Sequence, residues 1–282
     1  MVATISFNPG QMTNAPGTFN VQSLGYVQGT AQNDPSSRMY LSGGVLSNSE
    51  TIPMWGGVAI YEDIAGTSGG FDASLGSIVG RATSETQIAG WSVFDQAYAM
   101  VMSSQSPVPL AGSGMSVNFY RLGSQARIAV ACDSNLVSLI GGATNASVAW
   151  DYVNQQLVPY VSTTISSGSY TTGTGAVTLT TAAAHGLLPG DTFVLSAMTG
   201  SGSYANLNGS WTATAGTTGT TLNFTAASGL TLTISGGTVS NGTALPVKVL
   251  DVQPGNSMTV SYSSTTGFAT WNYTGTTAII LI

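Results

Sequence analysis

Charged side chains are the residue class that this 282-residue sequence most lacks. Lys and Arg number 5 and Asp and Glu number 11, so that only 6 % of the chain is charged. An average soluble domain carries about 25 %. Disordered chains combine low hydrophobicity with high charge. Because 43 % of this chain is apolar, its composition instead predicts a protein with a sizeable hydrophobic core.

Positive charge, long apolar runs and cysteine are also scarce. The five cations are Arg38, Arg81, Arg121, Arg127 and Lys248. They leave no basic stripe for phosphates, which argues against nucleic-acid binding. No run of about 18 apolar residues exists, and no basic segment precedes an apolar one at the N-terminus, so we expect no membrane span and no signal peptide. The single cysteine, Cys132, cannot form an internal disulfide.

The remaining charges are unevenly distributed along the chain. Between Thr163 and Gly242 the only charged residue is Asp191, and 20 of the 80 residues are threonine. Lys248 and Asp251 follow this stretch, so the chain leaves one composition and returns to it. Either 163–282 form one C-terminal domain, or 163–242 form a module inserted into a main domain of 1–162 and 243–282. We favour the insertion, because a C-terminal strand as apolar as Thr277–Ile282 should be buried in the main core.

Within the predicted insert, apolar residues alternate with threonine between glycine-rich turns, which is typical of half-buried strands. The predicted strands are Ala176–Thr180, Asp191–Leu195, Gly209–Ala213, Thr221–Phe224 and Leu230–Ile234. Their close spacing predicts a small sandwich or barrel.

The main domain also reads as mostly β. Its predicted strands include Phe19–Val27, Trp55–Tyr61 and Arg127–Ala131, and towards the C-terminus Leu245–Val252, a turn at Gln253–Asn256, and Ser257–Tyr262. Apolar residues at three- to four-residue spacing predict a helix over 86–102, and a shorter one is expected at Asn135–Ile140. The predicted fold is therefore mainly β: a discontinuous β-sandwich or barrel-like main domain with one or two short helices, plus a small inserted all-β, Ig-like domain.

Motifs for catalysis are weak. His185 is the only histidine and lies in a tight connection, where packing across the turn is the simpler interpretation. Cys132 follows an apolar strand and is expected to be a buried, unreactive thiol. The adjacent acids Glu62 and Asp63 cannot face each other across a cleft, so we interpret them as a solvated loop end at the point where a strand finishes. No phosphate loop or calcium loop is recognisable, and we expect no cofactor and no metal site.

One candidate ligand surface remains in the insert. Tyr204 and Trp211 flank Asn206 and Asn208, a combination of aromatic and amide side chains that suits a carbohydrate. The competing interpretation is that Trp211 packs in the core.

Several segments resemble structural proteins of tailed-bacteriophage particles, of the head-decoration or cement kind. In the main domain the resemblance covers Val117–Val130, Val148–Leu157 and Leu245–Trp271. In the insert, Val177–Asp191 followed by Leu207–Thr212 is similar to a small β module that recurs in phage head and tail proteins. The resemblance implies a non-enzymatic subunit on the exterior of a capsid, bound to the major capsid protein and commonly trimeric, and it implies no catalytic residues.

Two alternatives stay open. The same module would suit a tail or fibre-associated protein or adhesin that binds host-surface carbohydrate. A hydrolase of bacterial surface polysaccharide would instead need acids arranged in a cleft, for which Asp95, Asp133 and Asp151 are the candidates.

Overall fold

The protein is mainly β, as its sequence predicts. The computed structural model describes residues 25–32, 37–63, 77–94, 101–103, 106–138 and 146–282. The strands are β1 (Ala31–Gln32), β2 (Leu41–Leu46), β3 (Ala59–Asp63), β4 (Ser77–Arg81), β5 (Gly90–Val93), β6 (Val101–Ser103), β7 (Ser106–Leu110), β8 (Ser116–Arg121), β9 (Arg127–Ala131), β10 (Val148–Asp151), β11 (Gln156–Pro159), β12 (Ser162–Tyr170), β13 (Ala176–Thr181), β14 (Thr192–Gly202), β15 (Gly209–Thr212), β16 (Thr221–Thr225), β17 (Leu232–Ser240), β18 (Lys248–Ser263) and β19 (Phe268–Leu281).

Helical structure is short wherever the chain is described. The α-helix α1 spans Ser134–Ser138 and overlaps the shorter predicted helix, of which residues 139–140 lie outside the described residues. The 3₁₀ turns span Ser37–Tyr40, Glu85–Gln87 and Tyr204–Leu207. None of the described helices is long and apolar enough to cross a membrane.

The chain divides into two compact units. The first contains the described part of Met1–Ala146, together with Gln155–Val158 and Pro246–Ile282. The second contains Ser147–Asn154 and Pro159–Leu245, and so extends beyond the 163–242 segment marked by composition at both ends. Composition does not mark those ends, because Trp150 and Leu245 are ordinary buried apolar residues.

In the first unit, β2, β4, β3, β5 and β8 close into a barrel in that order. Neighbouring strands are antiparallel except β2 and β4, which run parallel. Val58, Ile60, Val79 and Phe119 lie at the centre of the packed core and are fully buried. Closure removes free sheet edges, so these short strands satisfy their backbone groups on both sides.

The first unit also contains a four-stranded sheet in the order β1-β9-β19-β18 and a two-stranded sheet of β6 and β7. The C-terminal strand β19 lies between β9 and β18, and Ile279 and Ile280 are buried, which confirms that this apolar strand is interior. The segment before β1 also contacts this sheet, because Tyr26 O accepts from Met258 N at 2.9 Å and Gly29 N donates to Ala129 O at 2.7 Å. Of the predicted strand Phe19–Val27, residues 19–24 lie outside the described residues.

The helix predicted over 86–102 is wrong in its described part. Gly90–Val93 form β5, which pairs with both β3 and β8, and all four residues are buried. A strand that is buried on both faces loses the period-two alternation, so its apolar spacing resembled a helix. Residues 95–100 lie outside the described residues.

The turn predicted at Gln253–Asn256 is also wrong. β18 continues through these residues, and its pairing with β19 shifts register between Gln253 and Ser257. Gly255 has φ +71° and permits the irregularity, so the Pro-Gly pair produces a bulge rather than a reversal of the chain.

The second unit contains a six-stranded sheet in the order β15-β14-β17-β12-β13-β16, curled around its own core. The rings of Phe193 and Phe224 meet edge to face at 5.4 Å, and Trp211 of the edge strand β15 lies 5.0 Å from Phe224 of the edge strand β16. In β13 and β16, Val177, Leu179, Leu222 and Phe224 point inward and alternate with polar residues. The threonine-rich pattern therefore locates these strands correctly.

Excising residues 163–242 and joining Ser162 to Thr243 is expected to leave the first unit folded. Ser162 is the pairing partner of Ser240, so the chain enters and leaves the sheet on neighbouring strands, roughly 5 Å apart. Circular dichroism and two-dimensional NMR of the shortened protein should retain the signals of Trp55 and Trp91. Loss of cooperative unfolding would contradict an insertion.

Candidate functional site

The predicted ligand surface lies around the 3₁₀ turn between β14 and β15. Tyr204 opens the turn, Asn208 ends it with its backbone N–H bonded to Ala205 O at 3.1 Å, and Trp211 follows on β15. The four predicted side chains are therefore brought into one short stretch of surface, because turn and strand are consecutive.

Two of these side chains are already used by the fold. Trp211 is partly buried against the core, and its Nε1–H donates to Leu207 O at 2.8 Å. Asn208 accepts from Met198 N at 3.1 Å and donates from Nδ2 to Ala205 O at 3.1 Å. These bonds hold the turn against β14, so substitution of either residue affects folding as well as any ligand.

The other two side chains are better placed to meet a ligand. Tyr204 is partly buried against the same core, and Asn206 is exposed, with no hydrogen bond from its amide to any described residue. The arrangement offers one amide beside aromatic rings that are only partly accessible. Carbohydrate recognition here stays a prediction.

His185 packs across its turn as the simpler interpretation expects. The ring is 1 % exposed, Nδ1 accepts from Leu187 N at 3.1 Å, and Nε2 lies 3.2 Å from Thr221 O. Nε2 therefore carries the proton and Nδ1 is the acceptor, which is the neutral tautomer. Burial lowers the pKa of His185, and the bond to Thr221 opposes this only in part.

Replacing His185 with phenylalanine is expected to reduce the free energy of unfolding by about 1–3 kcal/mol at neutral pH, because the Leu187 N–H loses its acceptor and the Thr221 carbonyl keeps only the Thr218 N–H as a donor. Protonation favours the unfolded chain, since the pKa is lowered on folding. The stability from neutral His185 is thus present above about pH 6.5 and declines below it. Urea unfolding at several pH values should show wild type and variant converging on acidification, and a constant gap would contradict the assignment.

Cys132 is buried and free, as predicted. Burial raises the pKa of its thiol to about 12, and the nearby Asp133 charge adds to the effect. A thiol that stays protonated is a poor nucleophile.

The interpretation of Glu62 as part of a solvated loop end is wrong, because its side chain is only 6 % exposed. Arg121 binds it through two parallel hydrogen bonds, from Nε at 2.7 Å and Nη2 at 2.6 Å, and Ser77 Oγ donates to it at 2.6 Å. Hydrogen bonding to Arg121 lowers the pKa of Glu62. The two residues lie 59 positions apart and meet only because β3 and β8 belong to one closed barrel, so no local signal in the sequence could have found the pair. Asp63 is exposed, as predicted.

A surface groove of about 300 Å³ lies beside Arg121. Its lining residues are Met39, Tyr40, Leu41, Ser42, Arg121, Leu122, Gly123 and Ser124. Met39 and Tyr40 are 86 % and 61 % exposed, whereas the guanidinium is engaged by Glu62 and by Ser42 Oγ at 2.8 Å. The groove thus presents apolar side chains beside an arginine whose charge is already paired.

The three acids that a hydrolase would need in one cleft are Asp95, Asp133 and Asp151, and the structure does not bring them together among its described residues. Asp95 lies outside the described residues. Asp133 accepts from Asn135 N at 2.6 Å at the start of α1 in the first unit, while Asp151 belongs to the second unit. Among the described residues, no three His, Cys, Asp or Glu side chains form a group that could hold a metal ion.

The structure is that of a mainly β protein with two compact units, and the second unit is rich in hydroxyl side chains and contains only two charged residues, Asp151 and Asp191. The chain matches no family model, no curated protein and no solved structure.

Proposed function

We propose that the protein is a virion structural subunit that decorates a bacteriophage capsid, binds the major capsid protein and stabilises the head, with the second unit projecting outward as an Ig-like module. The proposal rests on the sequence resemblance to head-decoration proteins. The surface of the second unit supports it.

The supporting observation is the outward face of β12, β13 and β16. It carries the exposed hydroxyls of Thr164, Ser166, Thr178, Thr180 and Thr225, and no charge. Some of these hydroxyls are satisfied within the sheet, since Thr178 Oγ1 donates to Asn223 Oδ1 at 2.7 Å and Ser166 Oγ to Thr180 O at 2.9 Å. Neutral hydroxyls cost far less to desolvate than charges, so such a face suits close approach to neighbouring copies in a lattice.

Electron cryomicroscopy of purified particles tests this role. Particles that contain the protein should show additional density on the capsid faces, arranged as trimers, and particles that lack it should release their genome at a lower temperature. Density confined to the tail, or unchanged head stability without the protein, would overturn the proposal.

A second candidate function is a tail or fibre-associated protein that binds host-surface carbohydrate. Exposed Asn206 beside Tyr204 favours it. Titration with oligosaccharides, followed by NMR, should shift the signals of this turn, and Tyr204→Ala with Asn206→Ala should abolish the shifts. Thr180→Ala, at an exposed position on β13, is the matched control, and an equal loss in the control would count against a site here.

A further inference from the structure

The two charges of the second unit lie against each other. Ser147–Asn154 and Pro159–Leu245 contain no Lys or Arg, and their only acids are Asp151 and Asp191. The carboxyl groups of these two residues are in hydrogen-bonding contact, and both residues are at least 91 % buried. Two negative charges in contact, with no cation in the same unit, repel each other strongly.

The hydrogen bonds differ between the two carboxyl groups. Asp151 ends β10 and accepts three: from Val153 N at 2.9 Å and Asn154 N at 3.0 Å to Oδ1, and from Asn154 Nδ2 at 2.7 Å to Oδ2. Asp191 precedes β14 and accepts one, from Leu188 N at 2.7 Å to Oδ2, while its buried Oδ1 receives none from any described donor. Because three donors favour the ionised form, Asp151 is the carboxylate and Asp191 the acid of the pair.

The contact joins two turns. Asp151 closes the turn through Asn154, and Asp191 closes the connection that contains Leu188 and Gly190. The turns lie side by side, since a Cβ atom on Gly190 would stand 3.3 Å from Val153 Cγ2. The protonation state of the two carboxyl groups therefore affects the free energy of the contact between the two turns.

We propose that Asp151 and Asp191 share one proton and act as a pH-sensitive clamp between these two turns. When the proton is present, Asp191 Oδ1 donates it to the Asp151 carboxylate. When it leaves to solvent, no bond replaces it, and two like charges remain in contact.

The pKa of Asp191 supports this assignment. Burial raises it to about 6, Leu188 N–H opposes the rise, and the Asp151 charge and hydrogen bond add to it. An acid whose pKa is higher in the folded protein contributes stability below its unfolded pKa, and this stability is lost as pH rises through about 6. The other titratable side chains on these segments are His185, whose pKa shift has the opposite sign, and Tyr152.

The test compares the full-length wild type with Asp191→Asn, which keeps the shape of the acid and cannot ionise. Hydrogen exchange read by mass spectrometry should report the opening equilibrium of the second unit from about pH 4 to about pH 8. His185 is present in both proteins, so its contribution cancels when the opening constant of the wild type is divided by that of Asp191→Asn. We expect the ratio of the two opening constants to change by up to roughly a hundredfold, with its midpoint near pH 6. Asp63→Asn, on an exposed strand end, is the matched control and should produce no such step.

A ratio that does not change with pH would overturn the proposal. Carbon-13 NMR of the wild-type aspartate carboxyls tests it without any variant: one carboxyl should titrate near pH 6, and titration of every carboxyl below about pH 5 would overturn it. Calcium chloride at neutral pH provides a further test. Stabilisation of the wild type but not of Asp191→Asn would mean that the pair holds a cation rather than a proton.

Discussion

Replacing Arg81 with methionine is expected to lower the free energy of unfolding of the first unit by about 3–5 kcal/mol. The guanidinium is buried, donates to Ile52 O at 2.8 Å and to Pro53 O at 2.5 Å, and lies 3.5 Å from Glu50 Oε2. It also stacks 4.6 Å from the ring centre of Trp55. Methionine fills much of the volume, but it leaves the two carbonyls without donors and the Glu50 carboxylate without its cation.

Arg127→Met is the matched control, because it removes the same charge from an exposed position on β9. It should change stability by less than about 0.5 kcal/mol. Urea unfolding followed by tryptophan fluorescence measures both variants. Equal losses of unfolding free energy in the two variants would show that the burial and hydrogen bonds of Arg81 do not contribute to stability. In Arg81→Met, further replacement of Glu50 with glutamine should restore part of the loss, since it removes the uncompensated charge.

Replacing Gly90 with alanine is expected to cost about 3 kcal/mol. A Cβ atom at this position would lie 2.0 Å from the carbonyl oxygen of Tyr120 on the neighbouring strand β8. Backbone atoms in a closed barrel cannot move aside without disturbing their own hydrogen bonds, so the strand has to shift. In a helix the same substitution would stabilise by about 1 kcal/mol, and its sign therefore distinguishes the two structures.

Gly43→Ala is the control for this prediction. Gly43 also lies in a barrel strand, but it is exposed, and its nearest contact for a Cβ atom is Asn118 Oδ1 at 3.7 Å. Thermal unfolding should show a lower Tm for Gly90→Ala and a Tm close to wild type for Gly43→Ala. A Gly90→Ala protein as stable as wild type would mean that β5 does not pack as described.

Strands that have one polar and one apolar face were predictable from the sequence. Ala176–Thr180 and Thr221–Phe224 were predicted within one residue of β13 and β16, because alternation with threonine shows directly which side is buried. β5 and β18 were not predicted correctly. Gly90–Val93 is buried on both faces, and the Pro-Gly pair near residue 254 is a bulge, so neither displays the local signal on which such a prediction depends.

The same distinction applies to the candidate sites. The packing of His185 and the inert Cys132 were predictable, because each follows from its immediate neighbours in the chain. Arg81 with Glu50, Arg121 with Glu62 and Asp151 with Asp191 were not, because their partners are 31 to 59 residues apart. The number of charged residues is evident from the sequence, but the partner of each one is not.

By itself, the sequence determined the β class, the scarcity of charge and the nearly uncharged stretch, since each depends on composition or on a period of two residues. Only the tertiary structure decided where the remaining charges lie. Barrel closure brings Arg121 to Glu62, and the adjoining turns of the second unit bring Asp191 to Asp151. The physical reason is that burial and long-range contacts determine the energy of a charge, and neither is visible in the order of the residues.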